Sequence, residues 1–104
     1  MVAVIHIKMF TQDNDFGGSR ENGERVREEI IEKLKEKNGI TLDFTGISLI
    51  TQSFADEIIG ILTRMYGIEF IKKNIRINNA NSEIKSMLNY VVKYSKKHFS
   101  GEAA

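Results

Sequence analysis

Ser53 is the residue whose neighbours best equip it for chemistry. An apolar strand, Leu42-Asp43-Phe44, runs into a polar turn at Thr45-Gly46, and further on Thr51-Gln52-Ser53-Phe54-Ala55-Asp56-Glu57 reads as the start of a helix. A hydroxyl in the first turn of a helix lies beside unpaired backbone N–H groups and the positive end of the helix dipole, an environment that favours an added phosphate. The same letters spell a capping box, Ser53 with Asp56 three residues on, in which hydroxyl and carboxylate only satisfy orphan N–H groups. The spacing supports both a phospho-acceptor and a structural cap. The two roles are compatible, because a capping hydroxyl is the one displaced when phosphate is added.

Catalysis by Ser53 would need a base. The chain has two histidines: His6 alternates with Ile5 and Ile7 on a strand, and His98 follows Lys96 and Lys97, so neither belongs to a triad motif. Gln52-Ser53-Phe54 is not the Gly-x-Ser-x-Gly elbow that exposes a hydrolase nucleophile. Isolated histidines and scattered carboxylates lack the spacing of a metal site, and zero cysteines exclude thiolate ligands, thiol chemistry and disulfides together. Asp43 does not read as a phosphorelay acceptor, since no acidic pair ends the first strand to hold magnesium. Gly17-Gly18-Ser19-Arg20 with Asn22-Gly23 lacks the Gly-Lys-Ser/Thr ending of a phosphate loop and reads as a turn leading into a helix. No catalytic residue, cofactor or metal is expected, and the chain is not expected to be an enzyme.

Composition narrows the partners. Tyr90, Lys93, Tyr94, Lys96 and Lys97 interleave rings with charges, as single-strand nucleic-acid binders do. However, 15 basic residues against 14 acidic ones leave little net attraction for a polyanion. A charged helix end is the preferred reading, with a nucleic-acid accessory as an alternative. No apolar run approaches the roughly 20 residues of a membrane span, and residues 1–10 lack a basic leader and a cleavage site, so a cytoplasmic protein without membrane contact is expected.

The elements that must position Ser53 follow from periodicity. With 104 residues and no linker, the chain reads as a single domain over residues 1–104. Strands are predicted at about 2–9 and 40–44 and around Ile75 and Ile77, and helices at about 21–37, 53–66 and 82–97. Val26, Ile30, Ile31 and Leu34 form the apolar face of the first helix. Phe54, Ile58, Ile61, Leu62 and Met65 do so in the second, and Ile84, Met87, Leu88 and Val91 in the third. Gly39 and Gly67 fit helix C-terminal stops. Repeated strand-then-helix units imply an α/β fold, a small, mostly parallel sheet with about three helices packed on it. The turn-rich segment 11–20 leaves room for a hairpin return that would add an antiparallel strand.

These residues resemble a STAS domain, the module shared by sulphate transporters and anti-sigma-factor antagonists, and more closely the small bacterial STAS-like family of unknown function. The likeness runs from Arg20-x-x-Gly23-x-x-Val26-Arg27, through the strand and turn of Asp43, Thr45 and Gly46 and the Thr51 to Glu57 segment, to Ile75-x-Ile77-x-Asn79. In anti-sigma-factor antagonists the second serine of an acidic-Ser-Ser-Gly turn is phosphorylated, and that serine falls on Ser53. The acidic residue falls on Thr51, the first serine on Gln52 and the glycine on Phe54. The resemblance implies a non-enzymatic protein-interaction module that docks through Thr51, Gln52, Ser53, Phe54, Asp56 and Glu57. Its partner would be a histidine-kinase-type ATP-binding protein, acting as serine kinase, or an anti-sigma factor. Asp56 and Glu57 beside Ser53 would repel a phosphoryl group of about −1.5 to −2 charge. A self-associating scaffold, serving a homodimer, is the remaining alternative.

Overall fold

The computed structural model describes residues 2–36 and 39–98. Strands β1 (Val2–His6), β3 (Gly39–Asp43) and β5 (Ile75–Asn78) form a parallel sheet in the order β1-β3-β5. The register sets Ala3 against Ile40 and Ile5 against Leu42, and Ile40 and Leu42 against Ile75 and Ile77. Because side chains alternate along a strand, those six residues share one face. Val2, Val4, His6, Thr41 and Arg76 share the other. The chain is thus an α/β protein with a small parallel sheet, as its periodicity predicts.

The first strand is shorter than expected. It stops at His6 and passes into a 3-10 turn, Ile7–Phe10, which buries Ile7. The Thr11 hydroxyl closes this segment by donating to the carbonyls of Lys8 and Asn14 at 3.1 and 2.7 Å. The turn-rich stretch that follows does not return antiparallel. Strand β2 (Phe16–Gly17) instead pairs in parallel with β4 (Leu49–Ile50), away from the main sheet.

Helix α1 (Arg20–Leu34) is capped by Ser19, whose hydroxyl accepts from the Asn22 N–H at 2.9 Å. Gly39 does not stop this helix, because it is the first residue of β3 and pairs with Val2. The expected final residue, Lys37, lies outside the described residues. Helix α2 covers residues 52–66 in one run: an α-helical start at Gln52–Ala55, a π-helical turn at Asp56–Gly60, and an α-helical end at Ile61–Tyr66. Gly67, with φ at 90°, stops it.

A fourth helix follows that the periodicity did not announce. Helix α3 (Ile68–Asn74) fills the connection to β5, with Tyr66 stacked on Phe70 at 4.5 Å between ring centres. Helix α4 (Ser82–Lys96) begins at Asn81, whose side chain accepts from the Ile84 N–H at 2.9 Å. Val26, Ile30, Phe54, Ile58, Leu62, Ile84, Leu88 and Val91 are buried with the inner face of the sheet, while Ile31, Leu34, Met65 and Met87 pack at the margin of this core. None of the described helices is long and apolar enough to cross a membrane.

Candidate functional site

Thr51, not Ser53, caps helix α2. Its hydroxyl oxygen accepts from the Phe54 N–H at 3.0 Å and donates to the Gly18 carbonyl at 3.0 Å, while its own N–H donates to the Gly17 carbonyl at 2.9 Å. One side chain therefore starts the helix and ties it to the segment leading into α1. Ser53 falls one residue inside the helix, half-buried, and the capping box with Asp56 is not formed.

The Asp56 carboxylate is taken by arginines. Arg64 donates to it at 2.8 and 3.3 Å, and Arg20 approaches to 3.7 Å. Arg64 also donates to the Ser95 hydroxyl at 2.7 Å, and its hydrogen bond to Asp56 raises its pKa above the usual guanidinium value. Glycine at position 60 makes this possible, since a Cβ there would stand 2.4 Å from Asp56 Oδ1 and 3.2 Å from Ser95 Oγ.

Glu57 is more deeply held. It is 6% exposed, and both Arg20 and Arg27 bond its carboxylate, one to each oxygen. Arg27 also donates to the Glu57 carbonyl at 3.3 Å. Arg20, Gly23 and Arg27 lie at i, i+3 and i+7 and so share one face of α1. Gly23 lets that face approach, because a Cβ at position 23 would stand 2.7 Å from the Glu57 Cβ. The Arg20-x-x-Gly23-x-x-Val26-Arg27 pattern is the receptor for a buried carboxylate. The π-helical turn carries both Asp56 and Glu57, and such turns are frequent at functional sites.

This network borders a groove of about 660 Å³ between α2 and α4. Gln52, Ser53 and Asp56 supply one wall, Tyr90, Val91, Tyr94 and His98 the other, and Arg20 and Arg64 complete the lining. The rings of Tyr94 and His98 meet at 4.7 Å. Gln52 and Tyr90 are shared with a second, apolar hollow of about 510 Å³ that includes Leu49, Ile50 and Met87. Tyr90, Tyr94 and His98, which the sequence associates with a basic cluster, face Ser53 across the groove.

The expected docking residues separate into two groups. Gln52 is exposed, and Thr51, Ser53 and Asp56 are half-buried. Phe54 is 0% exposed and belongs to the core, where burial of such a side chain contributes roughly 1.5–3 kcal/mol. Its bulk lies in the core and not at a surface, and Glu57 is likewise internal. Asp56 and Glu57 are paired with Arg20, Arg27 and Arg64, none of which the sequence marked as partners.

Asp43, Thr45 and Gly46 form a different device. Asp43 Oδ1 accepts from the Thr45 N–H at 3.0 Å, the Thr45 hydroxyl at 2.7 Å and the Asn79 side chain at 3.0 Å, and Oδ2 lies 3.5 Å from His6 Nδ1. These bonds, led by that from Asn79, lower its pKa to about 2. Gly46, at φ 84°, passes under Lys8. The cluster clasps the ends of β1, β3 and β5 and takes no part in the Ser53 groove. Among the described residues, no group of three His, Cys, Asp or Glu is placed to hold a metal ion.

Comparison with curated proteins and with solved structures found no significant match. A family model described as a STAS-like domain of unknown function matches residues 22–85. That span takes in Gly23 and Arg27, Asp43 with Thr45 and Asn79, the Thr51 cap, the whole of α2 and the start of α4, and the chain belongs to this STAS-like family.

Proposed function

We propose that the chain is a protein-interaction module that docks through the groove between α2 and α4 and is switched by phosphorylation of Ser53. The reading follows the likeness to anti-sigma-factor antagonists, and one observation carries it: the capping duty lies with Thr51, which leaves the Ser53 hydroxyl in the groove without that task. The partner is an ATP-binding protein of the histidine-kinase type, acting as serine kinase or anti-sigma factor in the cytoplasm. Its kinase activity moves the γ-phosphoryl of ATP to Ser53 Oγ. The new O–P bond forms as the bond to ADP breaks, and the hydroxyl proton passes to a base on the kinase. The module itself acts by binding.

Docking would use the apolar hollow of Leu49, Ile50 and Met87 beside the polar groove, with Gln52 and Tyr90 at the junction. A phosphate at Ser53 adds charge to a surface that must lose water on docking, and so weakens it. The test is affinity capture from host extract with the wild-type protein and Ser53→Asp as baits. The reading predicts that an ATP-binding protein of this type is retained by wild type and lost with Ser53→Asp. Equal retention by both baits, or capture of no such protein by wild type, contradicts it.

A further inference from the structure

We infer that Arg20 is the receptor for a phosphoryl group on Ser53, so that modification transfers this arginine from the Asp56–Glu57 carboxylates to the phosphate. The inference rests on Ser53 being the modified residue and concerns what the modification does to the protein. Residues 53, 56 and 57 stand at i, i+3 and i+4 and lie together on one face of α2. The Asp56 carboxylate turns toward position 60, where the missing Cβ of Gly60 leaves room for it and Arg64 meets it, and the Glu57 carboxylate turns to Arg20 and Arg27. Arg20 contacts both carboxylates and lines the same groove as Ser53.

Of the arginines in the network, Arg20 is the one that can move. Its side chain is 57% exposed, whereas those of Arg27 and Arg64 are 16% and 28% exposed. Nor does its departure strip the carboxylates bare. Glu57 keeps Arg27 on its other oxygen, and Asp56 keeps Arg64, which is anchored in turn by Ser95. A phosphate carries about −1.5 to −2 charge and three acceptor oxygens, and a guanidinium meets it through two parallel N–H bonds, so it competes with the single bond to Glu57 and the longer approach to Asp56 that hold Arg20. The link that Arg20 provides between the start of α1 and α2 is then lost, and the docking surface changes shape as well as charge.

The experiment uses the full chain with phosphoserine installed at position 53 during translation, so that no kinase is required. Its phosphorus resonance is followed against pH. An unengaged phosphomonoester titrates near 6. Capture by Arg20 should lower that midpoint by about one pH unit, and Arg20→Gln should return it to the unengaged value while Arg20→Lys returns it only in part. The side-chain N–H signals of Arg20 in the otherwise wild-type protein should shift on phosphorylation, a readout that needs no substitution. An unshifted midpoint, a midpoint equally low in Arg20→Gln, or unmoved Arg20 signals would overturn the inference. Because the phosphate is supplied directly, these results stand apart from whether a host kinase modifies Ser53.

Discussion

Gly23 and Glu57 are packed so closely that a Cβ added at position 23 would stand 2.7 Å from the Glu57 Cβ and 3.2 Å from the Phe54 carbonyl. Alanine in an exposed helix is favoured over glycine by about 1 kcal/mol. Here overpacking, typically about 1–3 kcal/mol, opposes that gain. Gly23→Ala is expected to lower stability by about 1 kcal/mol or more in urea unfolding, with stabilisation as the contrary result.

The two ends of the Glu57 clasp should not weigh equally. Removing the charge of Glu57 leaves the 16%-exposed Arg27 with only the exposed Glu24 carboxylate, 3.6 Å away, and breaking such an internal pair costs about 3 kcal/mol. Arg20 is half in solvent, and its loss should cost about 1 kcal/mol or less. Unfolding midpoints of Glu57→Gln and Arg20→Gln therefore differ widely if Arg27 is the structural partner. Equal costs would contradict that division.

Thr51 and Ser53 offer a second contrast. Thr51→Ala removes the cap of α2 and the bond to Gly18, and a loss of about 1 kcal/mol is expected. Ser53→Ala should change stability by no more than about 0.5 kcal/mol. Thermal unfolding of both variants decides the matter, and the reverse order would return the cap to Ser53.

Asp43 supplies a pH dependence. Its folded-state pKa of about 2 lies below the ordinary value of 3.8, so its contribution is fully present above that ordinary value and fades as pH falls toward 2. Wild type should lose stability relative to Asp43→Asn between about pH 5 and 2. Unfolding curves across that window that stay parallel for the two proteins would show that the clasp adds nothing.

Much of the architecture was legible because it is written locally. Alternation in β1, the short apolar run of β3 and the spacing of Val26, Ile30 and Leu34 each mark an element without reference to the rest of the chain. The helix over residues 68–74 was hidden because it is short and joins Gly67 directly to a strand, leaving too few turns to show a period. Ser53 reads as the cap because the spacing of Asp56 completes a box with it, whereas that carboxylate goes to Arg64 and Arg20 and the cap is Thr51. The Glu57 clasp joins residues 37 and 30 positions apart, and no local pattern encodes which carboxylate an arginine will meet. The arginines around the Ser53 groove emerged only from packing.

The most direct test of the account is intact-mass and phosphopeptide analysis of the protein recovered from its own host during growth and stress, with Ser53→Ala as control. The account predicts a single added phosphate, mapped to Ser53 and absent from the control. Protein that carries no phosphate under either condition, or carries it at another residue, would contradict it.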